Sequence, residues 1–194
     1  GVHIMSKLRQ SKLVIMLIAV FLLFTMPAYA SVDPAVIENN AKALVKLGIM
    51  YGDENGNLNL NKNIRRCEFV ALITRMMGYE KNTDVSKMEM PFKDIPKKHW
   101  AYNSIKVAVK YGVISGYEDN TFRPDNNVSF DEAQSILLRV LNYGNTLSGK
   151  WPENVMNKSS KLGLSKNLDL PADKKLTRGE ASVLIYNSLT INFN

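Results

Sequence analysis

Apolar residues recur at helical spacing in three separated stretches of the chain. The first places Phe69, Leu72, Ile73 and Met76 at i, i+3, i+4 and i+7. The second repeats the pattern with Ala133, Ile136, Leu137 and Val140. The third begins Ala181, Leu184 and Ile185, and carries Leu189 one place late. This spacing predicts three amphipathic helices, each with one apolar stripe suited to packing on one side. A turn-rich loop and an earlier helical run precede each of them. The intervals also repeat. Gly48 to Glu68 and Gly112 to Glu132 are both 20 residues, and Trp100 to Gly112 and Trp151 to Gly163 are both 12. The last copy is shorter, with 17 residues from Gly163 to Glu180. Repetition at this length predicts units that bury their apolar faces against one another.

The helix starts carry their own signals. Ser129 with Glu132, and Thr177 with Glu180, have capping-box spacing, in which the hydroxyl takes one open amide and the carboxylate another. These four residues are expected to be structural caps. The first copy has Arg65 at the cap position, so its start is expected to be weaker. The segment Asp53-Glu-Asn55-Gly56-Asn57 suggests a calcium loop, but Leu58 and Ile64 stand where such a loop needs glycine and glutamate, which favours a plain turn. Polar linkers, 81–90 and 142–150, join the copies.

The middle copy runs Phe92-Lys-Asp94, His99-Trp100-Ala101, then Gly112-Val-Ile114, Gly116-Tyr117 and Phe122-Arg-Pro124, and ends on Ser129-Phe130-Asp131-Glu132. The outer copies contribute Arg66-Cys67-Glu68 and Thr177-Arg178-Gly179-Glu180. This unit resembles an S-layer homology repeat. The first copy departs from the pattern with Val36 at the tryptophan position, and the third lacks the Gly-Tyr turn. The resemblance implies a mainly α fold, a pseudo-threefold bundle of three helix–loop–helix repeats. The expected division is 31–89, 90–146 and 147–194, after an export segment at 1–30. It also implies a partner, the anionic secondary polysaccharide of a bacterial cell wall, often bearing pyruvate ketals.

Composition narrows the setting. The export segment shows Lys7, Arg9 and Lys12, an apolar run from Leu13 to Phe24, and Ala28-Tyr29-Ala30 as a cleavage site, which is the form of a secretory signal. The run is short for a bilayer span, so no membrane contact is expected after cleavage. The chain carries a net charge of +7. Without the three basic residues of 1–30 this falls to +4, a mild excess that does not argue for nucleic acid. Cys67 is the only cysteine, so no internal disulfide forms, and it is expected to be a small buried side chain. With two histidines, one of them ahead of Met5, no metal site and no cofactor are expected.

Candidate binding chemistry centres on Arg66 and Arg178, in the first turn of their helices. Open amides at a helix start plus a guanidinium suit a carboxylate or phosphate, and the competing reading is a salt bridge to a neighbouring copy. Phe130 stands at the same place in the middle copy, so two sites rather than three are expected. Trp100 and Trp151 offer stacking faces for sugars, although a tryptophan at a helix start more often packs in a core. Tyr117 is placed to line a groove, and Asp94 to pair locally. No nucleophile elbow, Cys/His pair or phosphate loop occurs, and the three copies leave no stretch for an appended catalytic domain, so no enzyme activity is expected. The resulting expectation is a secreted, wall-associated anchoring module. Its rival is an envelope protein–protein module with degenerate glycan sites, and a role in wall hydrolysis ranks last.

Overall fold

The computed structural model describes residues 32–79 and 83–194. The expected export segment at 1–30 lies outside the described residues. The described chain is mainly helical: α1 (Pro34–Lys46), α2 (Arg66–Met76), α3 (Tyr102–Lys110), α4 (Phe130–Val140), α5 (Glu153–Leu162) and α6 (Arg178–Ser188). None of these helices is long and apolar enough to cross a membrane.

Local chemistry sets the helix limits. Pro34 opens α1 with its fixed φ, and Asp33 accepts the Ala35 amide at 2.8 Å. One predicted capping box forms in full, at α6; at α4 the Glu132 amide goes to Asp131 Oδ1 at 2.7 Å instead of to the Ser129 hydroxyl, which itself donates to Asp131. Glu132 accepts the Ser129 amide at 2.9 Å, and Glu180 accepts the Thr177 amide at 2.7 Å while Thr177 Oγ1 takes the Glu180 amide at 3.1 Å. At α2 the guanidinium of Arg65 has no acceptor to offer, and only the reverse half remains, Glu68 to the Arg65 amide at 2.8 Å. The first helices close alike, on Gly48, Gly112 and Gly163 with φ of 69°, 66° and 76°. A left-handed residue there satisfies the last carbonyls and turns the chain into its loop.

The one-sided packing expected of the stripes does not hold. Eight of the eleven residues of α2 are buried, as are eight of α4 and nine of α6. The polar letters between the apolar ones are the reason the pattern misleads. Thr74 bonds back to the Ala71 carbonyl at 3.0 Å, and Ser182 and Ser188 bond back to Gly179 and Ile185 at 2.6 Å. A hydroxyl satisfied by its own helix is buried at little cost. Leu189 falls beyond α6 and is exposed.

These three central helices are joined through the segments before them. The Ile64 amide donates to the Leu176 carbonyl at 2.9 Å, Leu176 to Val128 at 3.0 Å, and Val128 back to Ile64 at 3.0 Å. Three backbone bonds thus close a ring, and all three side chains are fully buried. The first amides of each central helix continue the cycle. Arg66 and Cys67 donate to the carbonyls of Asn126 and Pro124, Phe130 and Asp131 to Lys174 and Ala172, and Arg178 and Gly179 to Lys62 and Leu60, at 2.8–3.0 Å. Packing follows the same order: α3 lies against α2, α5 against α4, and α1 against α6. Each outer helix therefore covers the central helix of the preceding pair, and the first helix of the described chain clasps the last.

Candidate functional site

The bonds just described overturn one expectation. The first two amides of α2, α4 and α6 are not open to an anion, because neighbouring loop carbonyls occupy them, and a capping carboxylate takes the amide before each. Anion recognition therefore rests on side chains. Two grooves gather them.

The first groove, about 270 Å³, is lined by Arg66, Tyr117, Glu132, Arg139 and Trp151 among others. Arg66 extends from α2 into the next pair. Its Nε donates to the Phe122 carbonyl at 3.0 Å, its Nη1 lies 3.2 Å from Glu132 Oε1, and its guanidinium stands over the Phe122 and Tyr117 rings. It is 5% exposed, so the expected outward-facing arginine is instead a nearly buried ion-paired one. Tyr117 donates its hydroxyl to Glu132 Oε1 at 2.6 Å and lies 3.9 Å from the Arg123 guanidinium. Burial and that bond to Glu132 push the Tyr117 phenol up to about 12. Burial pushes the Glu132 carboxyl up, but Tyr117, the Ser129 amide and Arg66 together hold it below its ordinary value.

The second groove, about 560 Å³, is lined by Tyr51, Glu68, Arg75, Trp100 and Arg178 among others. Arg178 reaches from α6 to the loop after α1, donating Nε to the Leu58 carbonyl at 2.8 Å and Nη2 to the Tyr51 carbonyl at 3.1 Å. It is half-buried, and burial lowers its pKa while Glu68 opposes and Arg75 adds to the shift.

The two grooves are built alike. Gly52 and Gly116, Glu68 and Glu132, Ala71 and Ser135, Leu72 and Ile136, and Arg75 and Arg139 line them in matched places, each pair 64 positions apart. Each groove adds an arginine from one neighbouring helix pair and a tryptophan from another. Trp100 and Trp151 are 55% and 50% exposed, so neither packs in the core. A tryptophan with one face in water and the other on the protein can stack on a sugar ring. The corresponding place around Glu180 differs. Phe130 stands for the arginine and is buried, Asn187 stands for Arg75 and Arg139 and bonds the carbonyls of Leu164 and Lys166, and Lys174 pairs with Glu180 at 2.6 Å.

Arg139 was not identified from the sequence. It makes no hydrogen bond or ion pair among the described residues, and burial with the nearby Arg66 charge lowers its pKa. The signal that would have found it is the recurrence of arginine nine places after Arg66 and Phe130, at Arg75 and Arg139. Asp94 binds no groove. It accepts the amides of Phe122 and Arg123 at 2.8 and 2.7 Å, fixing the loop that carries the Arg66 acceptor. Asp53 lines the second groove and serves its own turn, accepting the Asn55 and Asn57 amides. Cys67 is fully buried, and burial pushes its thiol up to about 11.

The S-layer homology domain model matches residues 30–70 and 91–133. The chain is 28% identical over 158 residues to the middle cell wall protein of Brevibacillus brevis, covering 81% of this chain and 15% of that protein. It is 31% identical over 137 residues to a surface layer protein of Brevibacillus choshinensis, covering 71% of this chain and 12% of that protein. A cellulosome-anchoring protein of Acetivibrio thermocellus is 28% identical over 92 residues, 47% of this chain and 21% of its own length. The chain thus spans about a fifth or less of these relatives.

Proposed function

The chain carries S-layer homology domains at 30–70 and 91–133, and from that premise we propose that it is a cell-wall-anchoring module gripping an anionic wall polysaccharide in two grooves. The observation that carries this reading is the duplicated groove: a glutamate, an arginine seven places after it, an arginine reaching in from a neighbouring helix and a half-exposed tryptophan, assembled twice from different parts of one chain. The segment 147–194 acts as a third repeat that closes the ring and lends an arginine and a tryptophan to the other two. Its own groove is filled by Phe130 and by the Lys174–Glu180 pair.

A ketal carboxylate suits the space between the two arginines of a groove. One guanidinium is already committed, as Arg66 is to Glu132 and Phe122, and holds the site's shape. In that same first groove Arg139 makes no ion pair among the described residues and carries its charge toward the ligand. The tryptophan at the rim takes the sugar face. Two modest contacts on one rigid body add through effective concentration, which suits a polymer that presents the same group many times. The role is to hold the polymer, with no bond made or broken, and it places the protein at the cell surface.

The test uses purified wall before and after the secondary polymer is stripped, and polymer before and after mild acid removes ketals. Capture of the chain should vanish with the polymer and fall sharply with the ketals. Undiminished capture by stripped wall would instead favour a protein partner.

A further inference from the structure

We propose that the chain binds one zinc ion at a site built from Cys67, His99 and Asp125. The three come from separate segments: Cys67 from the first turn of α2, His99 from the loop before α3, and Asp125 from the loop between α3 and α4. Backbone bonds bring two of them together. The Cys67 amide donates to the Pro124 carbonyl at 3.0 Å and the Arg66 amide to the Asn126 carbonyl at 2.8 Å, on either side of Asp125. One ligand atom from each residue, a sulfur, an imidazole nitrogen and a carboxylate oxygen, lies within 4.8 Å of the other two. Around zinc such donors stand about 3.3–3.6 Å apart, so the group must draw in by roughly an ångström. Cys67 is held in the core, whereas Asp125 is exposed and His99 half-buried, and these two can turn toward it.

The donor set selects the metal. A thiolate and an imidazole favour zinc over calcium or magnesium, which take oxygen ligands. One histidine is enough beside these partners, which is why a count of histidines gives no sign of the site. Burial keeps the Cys67 thiol protonated, and coordination displaces that proton to solvent. Asp125 Oδ1 accepts Arg65 Nη1 at 2.9 Å, which orients the carboxylate and leaves its second oxygen for the metal. Arg65 also pairs with Glu68 Oε2 at 3.3 Å, so it keeps an acid when Asp125 turns. Zinc on either ring nitrogen of His99 replaces the bond that Nδ1 accepts from the Ala101 amide at 3.2 Å, a long contact that ligation outweighs. Water takes the fourth position. The ion ties α2 to two loops of the next helix pair, a cross-link that a chain with one cysteine cannot make by disulfide. None of the three ligands lines either arginine groove, so the site is independent of the wall-polymer reading.

The experiment titrates the full chain with zinc by calorimetry and with cobalt(II) by absorption. The chain carries His3→Ala throughout, which removes the other histidine. One zinc per chain is expected. Cobalt should raise the sulfur-to-metal charge-transfer band in the near ultraviolet that a thiolate ligand gives. A further Cys67→Ala change should abolish that band. Cys67→Ala, His99→Gln and Asp125→Asn should each weaken zinc at least about tenfold. Zinc should raise the Tm of the chain with its three ligands intact and leave that of Cys67→Ala unmoved. Excess calcium should not displace the metal. Should a ligand variant fail to fold, the cobalt band and the zinc stoichiometry of the chain with all three ligands still decide. Cobalt bound without the sulfur band, zinc affinity unmoved by Cys67→Ala, or displacement by calcium overturns the proposal.

Discussion

At the scale of single residues, the arginines divide by what their guanidinium already holds. Arg66 is buried against Glu132 and the Phe122 carbonyl, so Arg66→Ala leaves a half-buried carboxylate and a carbonyl without their partner. Removing one member of such a pair costs roughly 3 kcal/mol, and urea unfolding of the variant should show a loss of that order. Arg139 has no such commitment, so Arg139→Ala should leave the unfolding midpoint nearly unchanged and weaken polymer binding by roughly 1–3 kcal/mol, read by titration calorimetry. Glu132 gives a pH signature. Its folded pKa lies below the unfolded one, so its contribution is complete above the ordinary glutamate range and disappears as pH falls through the folded value. Unfolding free energies measured from pH 7 to 3 should therefore fall less steeply in Glu132→Gln than in the unaltered chain. The arginines at 66 and 178 were legible from their motif. Which of them was buried was not, because burial is decided by a loop 56 residues away in the sequence.

At the scale of helices, start signals read well and faces read badly. The Thr177 hydroxyl caps α6, and Thr177→Ala should cost about 1 kcal/mol in chemical denaturation without altering polymer affinity. Gly179, one place past Arg178 in the same turn, tests packing against propensity. Replacing glycine by alanine inside a helix ordinarily gains up to about 1 kcal/mol. Here the added Cβ would sit 2.6 Å from Ile37 Cγ2 on α1 and 3.1 Å from the Leu60 carbonyl, and overpacking of that kind costs about 1–3 kcal/mol. Gly179→Ala should thus lower Tm. The stripes located the three central helices correctly but underestimated their burial. Serine and threonine read as surface residues in a periodic pattern, whereas Thr74, Ser182 and Ser188 bury their hydroxyls by bonding back to their own helices.

At the scale of the whole molecule, the ring of Ile64, Val128 and Leu176 amides ties the three segments into one cooperative unit. Its members lie far apart in sequence, so no local opening exposes one of them alone. Hydrogen exchange should give the three amides the same protection, equal to the global unfolding free energy. Unequal values would mean that the segments open separately. The internal spacing of Gly48, Gly112 and Gly163 announced the repetition, but not the order of packing. Each outer helix lies on the preceding pair, a relation set by tertiary contact and absent from any local pattern. The same cyclic order brings Arg178 to the groove of Glu68 and Arg66 to that of Glu132, and so makes two grooves from three segments. Calorimetric titration with ketal-bearing wall-polymer fragments tests that claim most directly. Two sites per chain are predicted, falling to one in either Arg139→Ala or Arg178→Ala, with heat lost when the ketals are removed. Full-strength binding by ketal-free fragments, or a stoichiometry unmoved by both substitutions, would contradict it.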